Sequence, residues 1–62
     1  MYNLNKHLSN LYSIGVTECK TLKEADRLQE DLLNAGIDSN KHSAYCTYTI
    51  TVNRPSQIAK LL

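Results

Sequence analysis

Two cysteines and two histidines are the side chains in this sequence best equipped for chemistry: Cys19, Cys46, His7 and His42. Zinc would need thiolates and imidazoles at short, regular spacing. The chain has no C-x-x-C and no pair of histidines three to five residues apart, so no metal site is expected. A nucleophilic cysteine needs a neighbour that stabilises its thiolate. Nothing in the order of residues sets His7 or His42 beside either thiol, and both histidines are read as solvent-facing. The carboxylates Glu18, Asp26, Glu30, Asp31 and Asp38 follow neither a cation-loop pattern nor that of an acid/base pair. No glycine run could cradle a phosphate. The expectation is a protein that is not an enzyme and holds no cofactor and no metal.

These residues must be positioned by a small set of elements. Leu4, Leu8 and Leu11 recur at i, i+4 and i+7 and predict a short helix over 3–11, capped by Asn3. That segment is too short to stand alone, and is read as a docked helix or an arm. Over 12–19, Tyr12, Ile14 and Val16 alternate with Ser13, Gly15 and Thr17, which predicts a strand. Thr21 and Glu24 form a capping box ahead of Leu22, Ala25, Leu28, Leu32 and Leu33, and Gly36 follows as a left-handed cap. The result is an amphipathic helix over 21–35. Its outer face carries Arg27 within pairing reach of Glu30 and Asp31. Gln29 borders its apolar stripe, as a buried hydrogen-bonding residue or a partner contact.

Residues 37–43 are polar and predict a short edge strand running into a hairpin loop. Residues 44–52 are nearly all β-branched or aromatic. Cys46, Tyr48, Ile50 and Val52 share one parity there, and Tyr45, Thr47, Thr49 and Thr51 the other. Cys46 is thus expected in the core. Cys19 follows the parity of Thr17 on the opposite face, which argues against a disulfide. Pro55 opens a closing helix with Ile58, Leu61 and Leu62 on its apolar face.

The expected architecture is α+β, (α)βαββα, in one domain over 1–62. A small three-stranded antiparallel or mixed sheet has 44–52 in its centre, with a right-handed helical crossover between the first two strands. The helices cover the face of Tyr48, Ile50 and Val52. The other face is left open and shows Tyr45, Thr47, Thr49 and Thr51 beside Thr17, a flat surface without charge. With Arg54 these are the candidate partner-binding residues. Two uses of that surface stand: contact with a protein, including a second copy of the chain, or a solvated threonine face. A nucleic-acid-binding regulator, built on Lys41, Arg54 and Tyr45, is the alternative. Lys41, His42 and Arg54 would form a small basic cluster at one end of the sheet.

The stretch from Val16 to Leu62, through "KEADRLQEDLLNAGI" and "ITVNRPSQIAKLL", resembles two small βαββα modules. One is the prokaryotic putative signal-transducing domain of unknown function, and the other the cytosolic N-terminal domain of bacterial rhomboid proteases. The resemblance implies the topology and carries over no functional residue. In its size and want of a catalytic motif the chain also resembles the small regulatory or inhibitory proteins of phages and mobile elements.

Composition agrees with this reading. Of 62 residues, 42% are apolar, and the net charge is +1. That balance lacks the basic excess of a phosphate-binding domain of this size. No apolar run is long enough for a leader or a bilayer span, so a cytoplasmic location is expected, with both thiols reduced. A domain this small is marginally stable alone, which favours association with itself or with a larger protein.

Overall fold

A computed structural model describes residues 2–62. Six elements follow one another: α1 (Leu4–Ile14), β1 (Val16–Cys19), α2 (Leu22–Asn34), β2 (Ser39–Ala44), β3 (Thr47–Val52) and a closing 3₁₀ helix (Pro55–Leu61). The three strands form one antiparallel sheet in the order β1-β3-β2. This is the small α+β arrangement expected, with the most β-prone segment in the centre.

α1 begins where Asn3 accepts a hydrogen bond from the Lys6 amide at 3.1 Å. It then runs past the expected end at residue 11. Tyr12, Ser13 and Ile14, read as the start of a strand, are its last turn. The alternation there is fortuitous, because Tyr12 and Ile14 face solvent. The helix stops at Gly15, the first residue able to take a φ of +75° without a Cβ penalty. The Gly15 carbonyl then accepts from the Val52 amide at 3.1 Å, and a Cβ at Gly15 would meet the Pro55 ring at 3.2 Å. One glycine thus ends a helix and lets the sheet and the closing helix draw near.

α2 is the element the pattern described best. Thr21 accepts from the Glu24 amide at 3.1 Å. At the far end, Gly36 (φ +79°) donates to the Leu33 carbonyl and Ile37 to that of Leu32, both at 2.9 Å. This doubly bonded cap seats Ile37 in the core beside Leu32. Arg27 does not pair with Glu30 or Asp31. Its guanidinium lies 4.9 Å from the centre of the Tyr2 ring, and the Tyr2 hydroxyl donates to Asp31 at 2.7 Å. Gln29 is half-buried and donates to the Ser39 hydroxyl at 3.4 Å.

Directly opposed residues of neighbouring strands share a face. Thr17 and Cys19 of β1 oppose Ile50 and Tyr48 of β3, and Ser39 opposes Val52. This is the covered face. Ile50 and Val52 are buried there with Leu8, Leu11, Ala25, Leu28, Leu32 and Ile58. α1, α2 and the closing helix therefore lie on the same side of the sheet. The core draws on every element except β2, which is exposed along most of its length.

Two expectations about β1 are reversed. Thr17 and Cys19 point into the core, and Val16 and Glu18 point away. The expected strand carried its parity back to Tyr12, but Gly15 separates helix from strand and resets it.

Candidate functional site

None of the described residues covers the second face of the sheet. Its central row is Thr47, Thr49 and Thr51, each half-buried by its neighbours on the sheet. Glu18 and His42 flank Thr49, Val16 and Asn40 flank Thr51, and Ala44 stands beside Thr47. The face is rich in hydroxyls, as expected. It is not uncharged: Glu18 brings a carboxylate to one edge, and His42 an imidazole to the other.

The six candidate partner-binding residues do not form one patch. Thr47, Thr49 and Thr51 share the open face. Thr17 is 2% exposed on the covered side, and no partner could reach it. Arg54 follows β3, at the opposite end of that strand from Tyr45. Six residues at ~3.4 Å each put these two roughly 20 Å apart or more. The expected basic cluster is dispersed for the same reason. Lys41 and His42 sit mid-strand in β2 on opposite faces, and the Lys41 ammonium is held by Asp26 at 2.8 Å.

Tyr45 lies in neither strand. Ala44 pairs with Thr47, so Tyr45 and Cys46 alone make the hairpin turn. The loop expected within 37–43 is strand instead. β3 occupies the centre and needs a hydrogen-bonded partner along all six of its residues, and that ladder outweighs the turn preference of Ser39-Asn40-Lys41. The two turn residues have φ of 51° and 62°. A two-residue hairpin of this kind demands positive φ at both positions and ordinarily carries Asn-Gly. Tyrosine and cysteine there cost about 1 kcal/mol or more each. Tyr45 is 98% exposed, and Cys46, expected in the core, is exposed beside it.

The covered side holds a second arrangement. His7, expected in solvent, is buried between α1, β1 and α2. Its Nδ1 lies 2.7 Å from the Thr17 hydroxyl, and its Nε2 lies 2.8 Å from Glu24 Oε1 and 4.0 Å from Cys19 Sγ. Asn10 also donates to the Thr17 hydroxyl, at 3.4 Å. Glu24 therefore turns its carboxylate to His7, and only the threonine half of the capping box forms. Burial, with the negative charge of Glu24 adding to it, pushes the Cys19 thiol up to about 11. Cys19 is thus a protonated thiol near neutrality, and no nucleophile. The geometry agrees. Cys19 and Glu24 both face Nε2, whereas a relay needs nucleophile and acid on opposite ring nitrogens.

His7 had a legible signal. It stands three residues after Leu4 and four before Leu11, inside the apolar stripe of α1. A histidine there is turned toward the core and must find partners. Cys19 and Thr17 carried no such signal, since their direction depends on where β1 begins.

Compared with known protein families, characterised proteins and solved structures, the chain shows no significant match. No helix among the described residues is long and apolar enough to cross a membrane.

Proposed function

We propose that this chain is a small non-catalytic protein-interaction module. It binds a larger protein stoichiometrically, through the Tyr45 tip and the adjoining threonine face, in the manner of a regulator or inhibitor. The observation that carries this reading is the hairpin turn. A fully exposed aromatic ring stands on backbone where tyrosine is disfavoured and where Asn-Gly would stabilise the fold. Such a cost persists in sites that serve something other than stability. Tyrosine is also well suited to an interface, because it adds contact area with few rotatable bonds.

Size supports the pairing of tip and face. Three strands at ~4.8 Å and six residues at ~3.4 Å give roughly 300 Å² of sheet. A stable contact needs about 800 Å² a side. The face alone falls short, and the projecting hairpin extends it. Glu18 and His42 then border the contact, where charge sets orientation more than affinity. The basic residues invoked for nucleic acid are dispersed, and one of them is already paired.

The test uses the tagged chain as bait in its native host, with the Tyr45→Asn/Cys46→Gly double variant and Thr49→Arg alongside. The expected result is a partner captured by the wild type and lost from both variants. The double variant should at the same time unfold at a higher urea concentration than wild type. A partner retained equally by both variants would remove this surface from consideration.

A further inference from the structure

His7, Cys19 and Glu24 bring one nitrogen, one sulfur and one carboxylate oxygen within 4.8 Å of one another. They come from three different elements: α1, β1 and the first turn of α2. We propose that these three side chains bind a single zinc-type divalent cation, which pins the two helices to the edge strand.

The donor set selects the ion. Thiolate, imidazole and carboxylate together suit Zn²⁺ or Co²⁺, whereas Mg²⁺ and Ca²⁺ want oxygen alone. Bonds of ~2.0–2.3 Å in a tetrahedron set the donor atoms roughly 3.3–3.8 Å apart. The observed 4.0 Å from Nε2 to Sγ and 2.8 Å from Nε2 to Oε1 bracket that range. The third pair, Cys19 to Glu24, lies within 4.8 Å, so forming the tetrahedron takes shifts of up to roughly an ångström. Glu24 can supply much of this, being the partly exposed member of its pair with His7.

The second nitrogen of His7 makes the stronger argument. Ligating histidines nearly always donate their other N–H to an oxygen, which fixes the tautomer and turns the free lone pair on the metal. The Thr17 hydroxyl stands 2.7 Å from Nδ1 and can accept that proton. Nε2 then turns its lone pair to Cys19 and Glu24, so that one cation can take all three donors; without an ion, Nε2–H instead donates to Glu24. Charge also balances: a divalent ion against one thiolate and one carboxylate is neutral, so the buried site carries no net charge. Binding releases the thiol proton to solvent, one per ion, while the imidazole proton moves from Nε2 to Nδ1. A groove edged by Lys6, Asn10 and Lys20 reaches His7 and Glu24, and is the path by which an ion and a water ligand would enter. For a domain with so small a core, a three-element clamp is the kind of support its size calls for.

The experiment is a titration of the reduced 62-residue chain with Co²⁺ under anaerobic conditions, followed by Zn²⁺ competition. Wild type should bind one equivalent, with a thiolate-to-cobalt charge-transfer band in the near ultraviolet and tetrahedral visible bands that Zn²⁺ abolishes. Zinc at a hundredfold excess over Kd should raise the melting midpoint by roughly 10 °C or more. The charge-transfer band should vanish in Cys19→Ala and survive in Cys46→Ser. Glu24→Gln, which keeps a hydrogen-bonding partner for His7, should weaken Co²⁺ binding by about tenfold or more. If Cys19→Ala fails to fold, Glu24→Gln decides. No band in wild type, a band that follows Cys46, or an affinity indifferent to Glu24→Gln would each overturn the proposal.

Discussion

The two faces of this sheet are built from the same strands and obey opposite rules. On the covered side, Thr17, His7 and Glu24 are tied to one another, and among the described residues no buried side-chain nitrogen or oxygen lacks a partner. On the open side, Thr47, Thr49 and Thr51 stand beside solvent, and the turn that leads into them sits in costly backbone. The first face follows from the demand that a buried polar group be satisfied. The second does not follow from stability at all. The difference separates residues that burial commits to the fold from residues that it does not, and it does so strand by strand.

Thiol chemistry should show the widest gap between the two regions. In the reduced, metal-free protein Cys46 should react with an aromatic disulfide reagent as fast as a cysteine in a peptide. Cys19 is buried and protonated, so it must wait for the domain to open. An opening cost of a few kcal/mol makes its labelling about a hundredfold slower or more. Equal rates at the two thiols would mean that the covered side is not closed.

Neighbouring residues of β3 give the next contrast. Ile50 is fully buried and Thr49 faces outward. Ile50→Ala should cost about 2–5 kcal/mol in urea unfolding, and Thr49→Ala about 1 kcal/mol or less. The same substitution made on both faces sharpens the comparison further. Thr17→Val leaves His7 Nδ1 without its partner and should cost about 1–3 kcal/mol. Thr47→Val removes no long-range bond and should change stability by about 0.5 kcal/mol at most. Equal costs for the two valines would erase the distinction drawn between the faces.

Much of the fold was legible where independent local signals agreed. For α2 the Thr21 cap, the leucine stripe and Gly36 all point to one helix, and it spans Leu22–Asn34. For β3 the run of threonine, tyrosine and isoleucine leaves no other reading, and its place at the centre follows. The junction of α1 and β1 was misread because three alternating residues fit a strand as well as a last helical turn. Only the glycine's backbone angle distinguishes them. That error then turned Thr17 and Cys19 to the wrong face and hid their approach to His7. The hairpin tip was illegible for a different reason. Tyr45 and Cys46 carry none of the usual turn chemistry, and their position is dictated by the ladder between β2 and β3.

The central strand is also the last of the three to occur in the chain. Neither edge has anything to pair with until residues 47–52 exist, so during synthesis the growing polypeptide can form helices but no sheet. The closing segment from Pro55 adds Ile58 to the core later still. Assembly of the sheet thereby waits for residues 47–52, and its slowest events join residues far apart along the backbone. A ribosome that stops early on this message would release a fragment with two amphipathic helices and no layer to shield them.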